Sequence, residues 1–330
     1  MVNHVKISGM GKYLPERLVT SEELEKKMGL TAGWSYTHSG VKERHFVNNE
    51  TCSFMGARAL ELALKDANMK YEDLDAIIGA SGSFDHPIPY NSCLIQKEMD
   101  QENSGTPCWD IDSTCLSFVT AFDVVSYLIE AGKYKNVAIV TSEISSKSLN
   151  YNEKESATLL GDGAAAAIIS KSTPEEGSMI IGSLMETYSR GAFYTSVKGG
   201  GNTIHPNDPD SNPDDFTFNM KGRAILEMAF DKLPTFLKKL FVQSQVEMKD
   251  LTLVIPHQAS KLGIDMAKQT FGITDTQLVN NLANHGNCIA ASIPMALHDA
   301  LRDGRAKRGD KICLIGTSAG LSLGGIIFVY

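Results

Sequence analysis

One pattern of residues occurs twice, as CLSFVTAFDVVSYLIEAGKYKNVAIVTS at residues 115–142 and as NCIAASIPMALHDALRDGRAKRGDKICLIGTS at residues 287–318. In both copies an apolar-periodic helix leads into a glycine-basic turn, and a short β-branched run typical of a buried strand follows. Aligning Gly132 with Gly304 gives an offset of 172 residues and places Cys115 opposite Asn287. Because internal repeats determine architecture, the sequence predicts two similar halves, residues 1–172 and 173–330.

The same order of elements extends upstream in both halves. YEDLDAIIGASGS begins at Tyr71 and MKDLTLVIPHQAS begins at Met248, each with an Asp-Leu pair before a strand that runs into a polar loop. Strands are predicted at 75–79, 137–141 and 311–315, and helices at 54–69 and 222–240. This alternation indicates an α/β layered fold. If the halves pack face to face, loops at the ends of equivalent strands meet near a pseudo-twofold axis, where ligands of α/β sheets bind.

Composition excludes several classes of protein. The 330 residues are 42% hydrophobic and carry a formal charge of −8, which argues against a general nucleic-acid binder. No apolar run reaches the roughly 18 residues that a membrane span needs, and residues 1–7 lack the hydrophobic region of a signal peptide. Six cysteines without a CxxC pair are typical of reduced thiols. We therefore expect a cytoplasmic globular protein, and we expect no metal, since no His/Cys pairs have ligand spacing.

Cys115 is the cysteine whose position indicates chemistry. It precedes an apolar-periodic helix, where unpaired N–H groups and the helix dipole favour the thiolate, so we expect its pKa to lie below the usual value of about 8.5. Cys288 also begins a helix and competes for this role. Cys93 and Cys313 lie in apolar surroundings and are predicted to be core residues. A buried structural thiol is the alternative interpretation of Cys115.

Two further side chains and one glycine-rich segment are candidates. His257 follows the strand that Pro256 ends, so its imidazole is expected to face the loop edge of the sheet. Asn287 precedes a helix that opens with small residues, and it either caps that helix or supplies a catalytic amide. The segment GTSAGLSLGG at 316–325 lets backbone N–H groups approach a ligand, as an oxyanion site requires. The Gly-, Pro- and Asp-rich segment 198–215 is predicted to be an irregular loop, either a lid or an inert surface loop.

Cys115, His257 in PHQAS and Asn287 in NHGNCIAASIP together resemble the Cys-His-Asn triad of β-ketoacyl-acyl-carrier-protein synthase III, a family of the thiolase superfamily. The resemblance extends over nearly the whole chain, through GMGKYLPERLVTSEEL, WSYTHSGVKERHF, GDGAAAAII and the terminal glycine-rich stretch. It implies the duplicated five-layered αβαβα thiolase fold, usually as a homodimer. It also implies that no cofactor is needed, because the CoA thioester is a substrate.

The resemblance implies an acyltransferase that works in two steps. Cys115 attacks an acyl-CoA to give an acyl-enzyme; a malonyl-thioester, on acyl carrier protein or CoA, then loses CO₂ and condenses with the acyl group. His257 and Asn287 donate hydrogen bonds to the thioester oxygen where enolate charge develops. The backbone N–H groups of Cys115 and Ala319 hold the acyl oxyanion. The product is a 3-oxoacyl thioester, as in fatty-acid or related lipid and polyketide synthesis.

The substrate contacts that the resemblance implies include departures from the family's pattern. Trp34 occupies the position that stacks near the CoA adenine. His38 and Lys154 stand where the family has arginines, and Ser260 stands where it has asparagine. Ile88 takes the position of an aromatic residue that the partner subunit contributes to the acyl tunnel. Because His and Lys do not reproduce the bidentate fork of arginine, we expect weaker contacts with phosphate and with a carrier protein.

Other functions stay open at this point. Leu116, directly after the candidate nucleophile, and Leu262, in place of an arginine, are compatible with condensation of two acyl-CoAs, as in head-to-head ketone or olefin pathways. An acyltransferase that esterifies an alcohol or amine would need Cys115 and His257 but less of Asn287. The retained triad disfavours a non-enzymatic lipid-binding protein of the same fold. A cysteine hydrolase is disfavoured because no orienting partner of the histidine is evident.

Overall fold

A computed structural model of the chain describes residues 2–330. Its strands are β1 (Val5–Tyr13), β2 (Arg17–Thr20), β3 (Glu43–Phe46), β4 (Ala76–Gly79), β5 (Cys108–Asp110), β6 (Asn136–Glu143), β7 (Gly163–Lys171), β8 (Met179–Thr187), β9 (Thr195–Val197), β10 (Phe218–Met220), β11 (Leu253–Pro256), β12 (Lys311–Ser318) and β13 (Ser322–Val329). Its helices are α1 (Ser21–Met28), α2 (Trp34–Ser39), α3 (Cys52–Asp66), α4 (Asn91–Glu98), α5 (Ser117–Glu130), α6 (Lys154–Ala157), α7 (Gly222–Ser244), α8 (Lys261–Phe271), α9 (Leu282–His285) and α10 (Ser292–Arg302).

Two large sheets carry the repeat. One has the strand order β1-β7-β6-β4-β5, and the other has the order β11-β12-β13-β8. The order β1-β7-β6-β4 of the first sheet therefore corresponds to β8-β13-β12-β11 of the second. In both sheets the inner pair, β4 with β6 and β11 with β12, is parallel, and the next pair is antiparallel. The predicted duplication is confirmed. The boundary at residue 172, which falls between β7 and β8, stays a prediction.

The two copies are in a different register from the predicted one. Three-residue 3-10 turns precede the two equivalent helices, Thr114–Leu116 before α5 and Ile289–Ala291 before α10. The first residue of each turn has a positive φ, 50° and 49° respectively, so the turns are equivalent at an offset of 175 residues. Cys115 thus corresponds to Ala290, and its predicted equivalence with Asn287 is wrong. The physical reason is that α10 has 11 residues where α5 has 14, and a longer loop before β12 compensates.

Five layers result from the packing of apolar helix faces on these sheets. The face of α3 that carries Leu60 packs on the outer side of the first sheet. Helices α5 and α10 lie between the sheets, where Phe122 and Ile293 belong to one core cluster with strands of both halves. On the outer side of the second sheet, α7 buries Phe236 and Leu240. The order helix, sheet, helix, sheet, helix is the αβαβα architecture that the family resemblance implies.

The predicted elements are present with shifted ends. The helix predicted at 54–69 is α3, and the one predicted at 222–240 continues to Ser244 as α7. The GDG turn at 161–163 leads into the buried strand β7, as expected. The segment 198–215 is irregular until a closing 3-10 turn at Pro213–Phe216. Among residues 2–330, no helix combines the length and the apolarity that crossing a bilayer requires.

Candidate active site

Two of the three candidate side chains come together because the equivalent turns before α5 and α10 meet. Cys115 lies in the first turn, and Asn287 directly precedes the second. Gly82, in the loop after β4, lies between the two turns. A Cβ atom added to it would lie 3.2 Å from Cα of Thr114 and 3.3 Å from Cγ2 of Ile289. The absence of a side chain at position 82 thus allows the two turns to approach each other.

His257 is brought to the same place by the end of β11. Its backbone N–H donates to the carbonyl of Ile315 at 2.8 Å, which extends the pairing of β11 with β12 by one residue. The neighbouring Gly316 stands between His257 and the turn of Cys115. A Cβ atom at position 316 would lie 2.7 Å from Cβ of His257 and 3.3 Å from Cδ2 of Leu116. All three candidates therefore lie at the loop edge where the two sheets meet, as predicted.

The thiol of Cys115 does not have the lowered pKa that its position in the sequence predicts. Burial raises its pKa to about 12, with a further contribution from Glu143, although the backbone N–H groups of Cys115 and Ala319 favour the thiolate. Burial also raises the pKa of Glu143 to about 8, so this carboxyl is largely protonated at pH 7 and burial dominates the effect on the thiol. Cys115 lies in a 3-10 turn and α5 begins only at Ser117, so the dipole of a full helix does not act directly on it.

His257 is a neutral imidazole at pH 7. It is 5% exposed, and burial lowers its pKa to about 4. Within residues 2–330 its Nδ1 atom is buried and has no hydrogen-bond partner. A neutral ring carries one proton, and a buried unpaired N–H donor is rarer in proteins than an unpaired acceptor. The tautomer with the proton on Nε2 is therefore favoured, and it makes Nε2 a hydrogen-bond donor.

Asn287 is held so that its amide hydrogens face away from its own turn. Its Oδ1 atom accepts the backbone N–H of Ile289 at 2.9 Å and lies 3.5 Å from the hydroxyl of Ser292. Its backbone is fixed on both sides: the N–H donates to the carbonyl of Leu159 at 2.9 Å, and the carbonyl accepts from Gly161 at 3.0 Å. The two roles that the sequence suggests for Asn287, helix cap and catalytic amide, are thus compatible, because Oδ1 binds the turn while Nδ2 remains a donor for a ligand.

Two carboxyl groups near the site, the buried Glu143 and the partly buried Asp299, were missed by the sequence analysis. Glu143, at the end of β6, accepts hydrogen bonds from the N–H of Gly82 at 2.7 Å and the hydroxyl of Ser83 at 2.6 Å. Asp299 of α10 is held by Lys12 of β1 at 2.5 Å and by His285, two residues before Asn287, at 3.4 Å.

Asp299 is an ionised carboxylate that anchors the loop of Asn287. Burial alone would raise its pKa, but hydrogen bonds from His285, His298 and Lys12 hold that pKa well below its usual range. The signal for these roles is tertiary, since nothing in the local sequence distinguishes Glu143 or Asp299 from other acidic residues.

The residues predicted to bind CoA form a cluster on the surface near the site. The rings of Trp34 and His38 stack at 4.1 Å with an angle of 12° between their planes. Nζ of Lys154 lies 4.8 Å from the centre of the Trp34 ring. His38 is held in this stack because its Nδ1 atom contacts the carbonyl of Trp34 at 2.8 Å. The cluster presents cationic or ionisable side chains around one indole.

The other two predicted substrate residues lie in different environments. Ser260 caps α8, where its hydroxyl accepts the backbone N–H of Gly263 at 3.1 Å. It also lines a cavity that reaches His257. Ile88 is 88% exposed, and the structure does not bring it to the site of its own chain.

The remaining cysteines are mostly structural. Cys288, the predicted competitor, is fully buried, and its thiol contacts the carbonyl of His285 at 3.4 Å. Burial raises its pKa above its ordinary value, which makes it unreactive. Cys313 is a core residue, as predicted. The prediction is wrong for Cys93, which is only partly buried because α4 turns Asn91, Ser92 and Ile95 inward instead.

Known proteins similar to this chain are condensing enzymes. Residues 109–189 match the family model of 3-oxoacyl-[acyl-carrier-protein] synthase III, and residues 241–330 match the model of its C-terminal part. The β-ketoacyl-[acyl-carrier-protein] synthase III of Clostridium acetobutylicum is 32% identical over 99% of this chain and 98% of the relative. That of Aquifex aeolicus is 31% identical over 98% of this chain and 99% of the relative.

Solved structures agree with this relationship. The crystal structure of 3-oxoacyl-[acyl-carrier-protein] synthase III from Aquifex aeolicus has a TM-score of 0.89 at 30% identity and covers 99% of this chain and 100% of that one. OleA from Xanthomonas campestris has a TM-score of 0.87 at 20% identity and covers 100% of this chain and 98% of that one. At that identity OleA shows only a common fold.

Proposed function

This chain belongs to the 3-oxoacyl-[acyl-carrier-protein] synthase III family of condensing acyltransferases, and we propose that Cys115, His257 and Asn287 carry out its condensation. The observation that carries this proposal is the meeting of the three residues at one loop edge, around Gly82 and Gly316. A nucleophile and two neutral hydrogen-bond donors are the groups that acyl transfer followed by decarboxylation requires.

In the first step the sulfur of Cys115 attacks the carbonyl carbon of an acyl-CoA. A carbon–sulfur bond forms to the enzyme, the bond to the CoA sulfur breaks, and the thiol proton leaves with CoA as its free thiol. The backbone N–H groups of Cys115 and Ala319 both favour the thiolate of Cys115, so they lie beside the sulfur, and they would stabilise the oxyanion of the reacting carbonyl there. Since burial keeps the resting thiol protonated at pH 7, proton loss accompanies substrate attack.

In the second step a malonyl-thioester loses CO₂, and the electron pair of the broken bond forms an enolate. The enolate carbon attacks the acyl group, the bond to the Cys115 sulfur breaks, and the sulfur takes up a proton. Nε2–H of His257 and Nδ2–H of Asn287 stabilise the enolate oxygen. The pKa of His257 is about 4, so its imidazole is a hydrogen-bond donor that carries no net charge at pH 7. Decarboxylation supplies the carbanion, so this step needs no strong base.

The cluster of Trp34, His38 and Lys154 supports binding of the nucleotide end of acyl-CoA, because it combines an aromatic face with ionisable groups. Ser260 lies on the route from this cluster to His257. The malonyl group is carried by acyl carrier protein or by CoA; the net charge of −8 disfavours an acidic carrier at long range. The reaction needs no cofactor, because the thioesters are its substrates, and the free cysteines support a cytoplasmic location.

A homodimer is supported by an exposed apolar segment. Phe84 is 58% exposed, Ile88 88% and Tyr90 48%, which is unusual for three apolar side chains within seven residues. We place Ile88 in the acyl tunnel of the partner subunit, as the family's pattern implies. Light scattering should give the mass of a dimer, and Ile88→Asp should give a monomer; a monomeric wild-type protein would contradict this assembly.

The central experiment follows the acyl group. The protein is mixed with acetyl- to decanoyl-CoA, digested and mapped by mass spectrometry, and malonyl-CoA is then added to the acyl-enzyme. We expect the acyl mass on Cys115, followed by release of CO₂ and a 3-oxoacyl product. Cys115→Ala should abolish acylation and formation of the 3-oxoacyl product, whereas Cys288→Ala, its matched control, should retain both. Label on another residue, or none with any chain length, would refute the proposal.

A further inference from the structure

A cavity of about 570 Å³ lies between α7, α8 and the ends of β11 and β12. Its mouth is polar, with His38, Glu155 and Arg223 near the Trp34 cluster. Its inner end is formed by hydrocarbon and thiol groups, among them Leu233 and Phe271. A malonyl-thioester has no alkyl chain that would occupy this inner end, so the proposed reaction does not explain why the inner end is empty and apolar.

The chemistry of the inner end matches an alkyl chain and not a pantetheine arm. The arm carries two amide groups, and burying an amide without a hydrogen-bond partner costs about 2 kcal/mol or more. The inner wall is built from the buried side chains of Leu233, Val254, Ile273 and Cys313. None of these side chains is a strong hydrogen-bond partner for an amide. An alkyl chain has no such requirement and gains free energy from burial in proportion to its area.

The position of the cavity assigns it to the nucleophilic thioester. Of the three proposed catalytic residues, only His257 lines it, together with Gly316 and Thr317. In the proposed mechanism His257 contacts the thioester that forms the enolate, whereas the primer's acyl group is attached to Cys115. A chain that enters the cavity past His257 therefore begins at the α carbon of the nucleophile.

We propose, on the basis of the proposed function, that the nucleophile is a thioester with an alkyl chain on C2 and that this cavity binds the chain. A 2-alkylmalonyl-thioester loses CO₂, and the electron pair of the broken bond becomes the enolate. C2 attacks the acyl carbon, the bond from that carbon to the Cys115 sulfur breaks, and the sulfur takes a proton from solvent. The product is a 2-alkyl-3-oxoacyl thioester.

The test compares nucleophiles on one preformed acyl-enzyme. Malonyl-, butylmalonyl- and decylmalonyl-CoA are supplied separately, and kcat/KM is measured from the condensed product. We expect kcat/KM to rise with chain length, by up to about fourfold for each methylene buried. Decanoyl-CoA forms a further arm: it has no carboxyl group to lose and should give no condensed product, and a product from it would overturn the assignment of a 2-alkylmalonyl nucleophile.

Variants connect the chain-length dependence to the cavity. Ala229→Phe on α7 and Ala267→Phe on α8 fill it from opposite walls, and each should lower the ratio of decylmalonyl to malonyl kcat/KM by about tenfold or more. Val242→Phe adds the same ring to α7 at a position that is 71% exposed, and it should leave the ratio unchanged. Thermal unfolding of each variant checks that it is folded.

The outcomes separate this inference from the proposed function. If malonyl-CoA condenses while every C2-alkylated thioester reacts no faster, the inference is wrong and the proposed function stands. A ratio that neither filling variant changes would also overturn the inference. If no thioester acylates Cys115 at all, the proposed function itself fails.

Discussion

Replacing Asn287 with aspartate should separate the two half-reactions of the proposed mechanism. Aspartate keeps an oxygen that accepts the N–H of Ile289, now bonded at 2.9 Å, so the turn is retained. It removes the Nδ2 hydrogens, and at 8% exposure little water can replace them. Losing one donor of an oxyanion site costs about 10²–10³ in rate, and an acidic oxygen beside the enolate adds repulsion. CO₂ release should therefore fall by at least about 10²-fold while acylation of Cys115 changes little.

The assay measures both half-reactions on the same protein. Rapid mixing with acyl-CoA and intact mass spectrometry gives the acylation rate, and carboxyl-labelled malonyl-CoA gives the rate of CO₂ release. Asn284→Asp is the matched control, since Asn284 is exposed and lies three residues away. Asn287→Ala removes the bond to the turn as well and should cost about 1 kcal/mol of stability. If Asn287→Asp slows acylation as much as CO₂ release, or keeps more than about a tenth of the CO₂ release, the assigned role is wrong.

Three further predictions concern titration and stability. Because burial raises the pKa of the Cys115 thiol to about 12, its labelling by iodoacetamide should increase about tenfold per pH unit through neutral pH, with Cys115→Ser as the blank; a plateau near pH 7 would contradict the raised pKa. Burial lowers the pKa of His257 from 6.5 to about 4, so the unfolded chain takes up this proton first and stability is lost as pH falls from 6.5 towards 4. The loss is about 3 kcal/mol at most, and denaturation of His257→Gln should show a weaker acid dependence; an unchanged profile would refute it. Arg44 is fully buried and donates to the carbonyl of Thr158 and the hydroxyl of Ser21, so Arg44→Met should cost about 3 kcal/mol in urea unfolding, and a cost below about 1 kcal/mol would count against this role.

The fold and the position of the site could be predicted because their signals are local. Short β-branched runs and apolar periodicity predicted strands β4, β6 and β12 and helices α3 and α7, with errors only at their ends. The strand-end position of His257 and the position of Cys115 shortly before a helix follow from the same patterns. The predicted equivalence of Cys115 with Asn287 is wrong because α10 is shorter than α5 and the loop after it is longer by the same number of residues. An alignment anchored on the glycine turn does not detect these two changes in length.

The electrostatic properties of the site could not be predicted. The sequence shows that Cys115 precedes a helix, but the pKa of its thiol depends on burial, with a contribution from Glu143, which belongs to β6. The stacking of His38 on Trp34 and the exposure of Ile88 likewise depend on packing between segments. The apolar cavity behind His257 has walls from two helices and two strands, so no single stretch of sequence indicates it.

The amino-acid sequence indicated the repeated α/β layers and the candidate nucleophile with its two partner residues, because periodicity, turn residues and residue order are properties of neighbouring positions. The folded structure sets the protonation states of those groups, the face of Asn287 that is a donor and the apolar volume that lies beside His257. Desolvation, hydrogen-bond partners and cavities depend on distances between segments that are far apart in the chain, and packing alone determines those distances.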